Sequence, residues 1–412
     1  MNSRTGPEEQ LMLLTAGTEE RRARCEARMR QLISSSDQDR LLHVLEAHGV
    51  VGVVGTRLLA FAPSAMSFEF RDQVETAVTA WRRRSLLLEA TASKLIDRLT
   101  NAGIRCASLK GTFLVKDIYG DPGLRTASDI DLLVDPGEFQ RAIAVLAEEG
   151  YRQHGERPWL GELPLFEAAL LPPATFLPPI DLHWRLHWYE DDFAARYLAR
   201  SIPAQGRGLR PDLADELMGL LLHYARDGLT GLRVPLDIGA WWDRHGAQLP
   251  DLALDSVAQE HPRLRRVAVT AATAAARLVG LPVERLFSEQ YRSDVSRLAL
   301  RIMSSTARSH GDFETKKSVV DMLLAPVGER PRSLARYLRP PASVIQEVYE
   351  LRAGGWARQE MYRLRYGAIV GARLIPHAAQ LAWRSRKGGD ARLTWLDGLR
   401  SELASSPKGS LA

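Results

Sequence analysis

The feature that most limits what this chain can fold into is a change of apolar period at residue 104. Upstream, Val74, Leu86, Leu87, Leu88, Leu95, Ile96 and Leu99 recur at helical spacing, with Arg82–Arg84 exposed between them. Asn101-Ala102-Gly103 ends that stripe, glycine being suited to the left-handed position that follows a helix. Ile104-Arg-Cys-Ala-Ser-Leu109 then reads as a short strand that stops at Lys110-Gly111. Thr112 to Ile118 is helical again, Tyr119-Gly-Asp-Pro-Gly123 is a turn, and Asp129-Ile-Asp-Leu-Leu-Val134 is a second strand. Pro136 opens a further helix, with Phe139, Ile143, Val145 and Leu146 on its apolar side, ending at Gly150. Strands interleaved with short helices rule out a purely helical bundle for this part. The expected class is therefore α+β, a small mixed-sheet core with N-terminal and C-terminal helical regions.

Beyond Tyr151 the chain is loop-rich, and Phe166–Leu171 and Pro179–Leu186 are expected to be antiparallel strands joined through a proline-containing turn. Leu213–Tyr224 and Val234–His245 are amphipathic, and helical patterns run from 262 to the end, broken at Gly328–Pro331 and Pro340–Pro341. A length of 412 residues suggests two or three compact units. The expected division is a helical region at 1–100, the mixed core at 101–200, a helical region at 201–300 packing on it, and an arginine-rich helical region at 301–412. No internal repeat or low-complexity tract appears. Arginines between Arg352 and Lys387 suit either a phosphate- or RNA-facing surface or a solvated helix face.

With 45% hydrophobic and 25% charged residues the chain can bury a sizeable core. Its net charge of +5 fits the handling of anionic phosphates without making it a polycation. Cys25 and Cys106 give neither a disulfide framework nor a zinc pattern. The N-terminus lacks the basic and apolar blocks of a signal peptide, and Val267–Leu281 is short and interrupted by Arg277. The expectation is a cytoplasmic protein with no membrane partner.

Chemistry concentrates around one acid pair. On a strand, Asp129 and Asp131 project to one side while Ile130 and Leu132 pack behind. Two adjacent carboxylates need neutralising, and a hard divalent cation such as Mg²⁺ or Mn²⁺ does that. Upstream, Lys110-Gly111-Thr112 lies where a strand meets a helix N-terminus, whose N–H groups favour phosphate. Gly111 admits close approach, Thr112 adds a hydroxyl, and Arg125 offers a bidentate fork. Lys110 is either a triphosphate contact or a flanking surface lysine. Downstream, Asp181, His183 and Arg185 share one strand face opposite Ile180, Leu182, Trp184 and Leu186. Asp181 is then a third site acid or the partner of Arg185, and His183 is catalytic or structural.

Taken together, these motifs resemble the DNA polymerase beta-like nucleotidyltransferase superfamily. LKGTFLVKDIYGDPGLRTASDIDLLV followed by IDLHWRL is more closely similar to the bacterial uncharacterised nucleotidyltransferase family. EAHGVVGVV and LTNAGIRCASLKG upstream, and LLHYARDGL with LDIGAWW downstream, extend the resemblance over most of residues 35 to 250. It implies metal ligands at Asp129, Asp131 and Asp181, phosphate contacts at Gly111 and Thr112, and an NTP donor, with ATP as the expected one. The interval from Gly111 to Asp129 is longer than the superfamily's usual spacing, and Thr112 stands where serine is commoner. His223 and Asp237 fall in the family's helical segment, with functional and packing roles both open. Some relatives sit beside peptide natural-product genes, so a peptide or small molecule is the implied acceptor. An RNA end and a catalytically silent binding module are the alternatives.

Overall fold

The computed structural model describes residues 6–154, 167–204, 207–297, 299–300, 319–329 and 355–387, with isolated positions between 331 and 345. Its centre is a mixed sheet of seven strands: β1 Cys106–Ser108, β2 Ile130–Val134, β3 Arg152–Gln153, β4 Glu167–Leu171, β5 Ile180–His183, β6 Ile202–Ala204 and β7 Gly208–Arg210. The order across the sheet is β3-β4-β5-β2-β1-β7-β6. The β2–β5 and β1–β7 pairs are parallel and the others antiparallel. Helices precede and follow the sheet, so the α+β expectation holds.

Upstream of the sheet runs the helix Phe68–Asn101, capped by Ser67, whose hydroxyl accepts from Phe70 N at 3.1 Å. Its end follows the sequence signal. Gly103 takes φ 74°, and Ile104 N donates back to Leu99 O at 2.9 Å. Earlier, Val51–Gly55 winds as a π-helix, a form found mostly as single-turn insertions. A Cβ on Gly52 would overlap the Leu124 carbonyl, so this glycine lets the π turn press on the loop that leads into β2.

The two faces of the sheet bury different things. Cys106, Ile130, Leu132, Val134, Ile180 and Leu182 join a core with Leu95 and Leu99 of the long helix and Phe139 and Leu146 of the helix Phe139–Glu148. Trp184 closes it edge-on to Phe139, with ring centroids 4.3 Å apart. Ala107 and Leu133 belong instead to a larger core with the helices Leu213–Arg226, Arg233–His245 and Pro262–Val279. Strand alternation puts Asp131, Asp181 and His183 on this second side.

Several features differ from the sequence reading, among them β3 in the stretch that reads as loop. The β6–β7 hairpin and the helix Phe193–Arg200 occupy what reads as loop, and β7 extends the sheet beside β1. Pro203 is tolerated because β6 is an edge strand. Finally, β5 stops at His183, and Leu186 lies in the second core rather than beside Ile180. The chain leaves the sheet there because Glu190 accepts from Leu186 N at 2.9 Å and His187 N at 3.1 Å, supplying the partner a neighbouring strand would have given. Phe166, expected to open β4, and most of the arginine-rich region before 355 lie outside the described residues.

Candidate active site

Sheet register brings the acids together. Asp131 lies opposite Asp181 across the parallel β2–β5 pair, and Ile130 N donates to Pro179 O at 3.0 Å to lock that register. Asp129 sits one residue before β2, its carboxylate accepting from the Ser128 hydroxyl at 3.3 Å. Carboxylate oxygens of Asp129, Asp131 and Asp181 lie within 4.8 Å of one another. Three convergent oxygen donors at that spacing suit a hard divalent cation. Asp131 is buried, while Asp129 and Asp181 remain partly open.

Basic groups crowd the inner side of Asp131. Lys110 Nζ lies 3.2 Å from its Oδ1 and His183 Nε2 lies 3.1 Å from the same atom. On the far side of the imidazole, Nδ1 is 3.2 Å from Glu167 Oε2, whose carboxylate also faces Arg226 at 3.7 Å. Arg226 in turn contacts His223 Nδ1 at 3.0 Å. Lys110, His183, His223 and Arg226 line one small pocket between the sheet and the helix Leu213–Arg226.

These surroundings separate two neighbouring acids. Burial alone would raise the Asp131 carboxyl, but the Lys110 charge, the His183 hydrogen bond and Arg226 hold it well below the usual carboxylate range. Asp181 is pushed up to about 7 by burial and by the charges of Glu167, Asp131 and Asp129. His223 is pushed well down by burial and by the Lys110, Arg226 and Arg125 cations, which keeps it neutral at pH 7.

Gly111 forms the turn beside this cluster with φ 83° and ψ −147°. A Cβ there would meet nothing closer than Asp129 O at 3.9 Å, so backbone conformation and not crowding calls for glycine. Thr112 begins the helix Thr112–Tyr119; its side chain lies outside the described atoms. That helix is held by groups of β7 and of the helix Arg233–His245. Asp117 Oδ2 meets His245 Nε2 at 2.9 Å and Arg210 at 3.2 Å, and Tyr119 donates to Asp237 Oδ1 at 3.0 Å. Arg125 is buried with Nε 2.5 Å from Asp237 Oδ2, and another of its nitrogens donates to Thr126 O at 3.2 Å. The sequence makes Arg125 a candidate partner for the triphosphate. The structure pairs that guanidinium with a buried carboxylate, because the turn at 119–123 brings it against the helix Arg233–His245.

The sheet thus gathers Lys110, Asp129, Asp131, Asp181 and His183 at one place, with Gly111 at its edge. Asp181 forms no ion pair with Arg185 among the described residues. The sequence alone does not mark out Glu167 or Arg226. Alternation in Glu167-Ala-Ala-Leu-Leu171 puts Glu167 opposite the apolar Ala168 and Leu170, but only the register, Glu167 beside His183, brings it to the site.

A strand, glycine turn and helix, one acid just before the second strand and one within it, and a third acid on its neighbour fit a metal-dependent nucleotidyltransferase. Comparison with known families matches residues 34–280 to the uncharacterised nucleotidyltransferase family, well over half of the chain. The chain belongs to that family, and so to the nucleotidyl-transferring enzymes. No curated protein and no solved structure matches it.

Proposed function

We propose that this enzyme transfers a nucleoside monophosphate from an NTP, with ATP as the expected donor, to the hydroxyl of a peptide or small molecule. The observation that carries this reading is the convergence of Asp129, Asp131 and Asp181 within 4.8 Å beside the Gly111 turn. Their all-oxygen donor set fits Mg²⁺ or Mn²⁺, and such cations, when bound, would polarise the α-phosphate and neutralise charge on the leaving group.

The chain's own groups do the rest. Gly111 and Thr112 offer N–H groups at a helix N-terminus to the triphosphate. Asp129, Asp131 and Asp181 are the proposed ligands, and His183 holds Asp131 in place. Lys110 is positioned to meet the triphosphate once Asp131 turns to a cation. Arg125 acts by bracing the turn through Asp237. An acceptor oxygen attacks the α-phosphorus, the bond to the β-phosphate oxygen breaks, and pyrophosphate leaves with that electron pair. The acceptor's proton passes to Asp181 where that carboxylate acts as the base instead of as a cation ligand, and otherwise to solvent.

Labelled ATP, CTP, GTP and UTP, each incubated with cell extract and Mg²⁺ or Mn²⁺, test the reading. Wild type labels an acceptor, and Asp129→Ala/Asp131→Ala does not. Equal labelling by the double variant overturns the site.

One contact favours a second reading, a nucleotide-binding module without turnover: Lys110 Nζ lies 3.2 Å from Asp131, where an ammonium can take a cation's place. Tight NTP binding that needs no divalent ion, with no labelled product from any of the four nucleotides, would establish it.

A further inference from the structure

The helix Trp356–Lys387 presents an apolar stripe that is exposed among the described residues. Ala357, Met361, Leu364, Ala368, Ala372 and Ile375 recur at intervals of three and four residues, and all are exposed. Among the described residues eleven large hydrophobic side chains are exposed, and five of them belong to this helix: Trp356, Met361, Leu364, Ile369 and Ile375. Leu364 is 72% exposed and Ile375 63%, values unusual for residues at helical spacing on one side. The edge of the helix next to Leu364 and Ile375 does pack: Gly371 is buried beside the Ile375 side chain, and a Cβ on Gly367 would overlap the Leu338 carbonyl. The stripe is thus exposed along the border of the edge that packs through Gly367 and Gly371.

Charge decides what fits it. The helix carries six arginines and one lysine against one acid, Glu360. Arg358 and Arg365 are exposed along the margin of the stripe, and Glu360 is already engaged by Arg339 and Arg363. A second copy of the same stripe would bring like charge against like. RNA would use the arginines but leave Met361, Leu364 and Ile375 without a role. An anionic bilayer surface uses both, apolar side chains entering the acyl boundary while arginines reach up to headgroups.

We infer that this helix docks the enzyme on anionic membrane surfaces, lying in the headgroup plane. This departs from the sequence expectation of no membrane partner. It is a surface contact and not a span, since no described helix is long and apolar enough to cross a bilayer. The inference is independent of which acceptor the active site uses.

Co-sedimentation of the full-length protein with phosphatidylglycerol-rich vesicles, and with pure phosphatidylcholine vesicles, tests it. Binding is expected to the first and not the second, weakening as salt rises. Leu364→Asp and Ile375→Asp should each lower binding about tenfold or more. Arg358→Gln and Arg365→Gln should each lower it about fivefold. All four positions are exposed, so unchanged melting and unchanged transfer in solution are expected. Failure to bind anionic vesicles overturns the proposal, as does binding that survives Leu364→Asp and Ile375→Asp. Homopolymer RNA binding that the arginine variants abolish, without vesicle binding, would assign the helix to RNA. A dimer by light scattering that Leu364→Asp splits would assign it to a second copy.

Discussion

The two sides of β2 are made by alternate residues of one five-residue strand, yet they serve opposite ends. Ile130, Leu132 and Val134 enter an apolar core closed by Leu99, Phe139 and Trp184. Asp131, between them, meets Lys110 and His183 and faces Asp181. On the first side any well-packed apolar group of the right volume will serve. On the second each charge is set by its neighbour, so loss of one leaves another unpaired. Stability should therefore be concentrated on one side and chemistry on the other.

The largest effect that could break this contrast is expected at Asp131. Asp131→Asn keeps the volume and removes the charge, and should lower nucleotidyl transfer by about a thousandfold or more. Activity within tenfold of wild type in steady-state assays would mean that the charged side is not the reactive one. Next comes the brace behind it. Arg125→Leu strands Asp237 in a buried site and should cost about 3–5 kcal/mol in urea unfolding. A loss under about 1 kcal/mol, within the range of an exposed pair, would show that the buried pair is not needed to hold the turn.

One residue from Asp131, Leu132→Ala should cost about 3 kcal/mol by the same measurement and leave kcat per folded molecule close to wild type. A large fall in kcat with little loss of stability would reverse the assignment of the two sides.

A subtler test sharpens the difference between Asp131 and Asp181. Burial and like charges raise Asp181 to about 7 from an ordinary value of 3.8, so the folded, metal-free protein holds that proton more tightly than the unfolded chain. The group's contribution to stability is fully present below the ordinary value and is lost as pH rises through about 7. A divalent cation replaces the proton, so the rise in melting temperature on adding Mg²⁺ or Mn²⁺ should be larger above pH 7 than below it. Equal shifts at both pH values would remove Asp181 from the ligand set. The smallest expected effect is at Glu167: Glu167→Gln removes one of the charges that raise Asp181, and should move the midpoint of that metal-linked pH dependence downward by under about one unit.

Local signals were sufficient for much of this. Gly103 ended the long helix where its freedom at positive φ predicted, and Gly111 formed the turn between β1 and its helix. Alternation within Asp129-Ile-Asp-Leu-Leu-Val134 and Ile180-Asp-Leu-His183 separates acids from core on strand period alone. These are near-neighbour effects of backbone sterics and strand period, and one stretch of chain contains all that they need.

Other elements depended on partners far away in sequence. The β6–β7 hairpin has short strands at the sheet edge, with β1 as β7's partner about a hundred residues upstream. The ion pair of Arg125 is not legible locally, because Asp237 lies on a distant helix. Glu167 entered the site only through its register beside His183. The same holds for Asp131 and Asp181. As residues of two strands they were legible; the opposite directions of their pKa shifts were not. Which acids stand on which strand face was written in the sequence. Which cations and carboxylates crowd each of them was decided only by tertiary packing, because a charge responds to whatever lies within a few ångströms, however far along the chain it began.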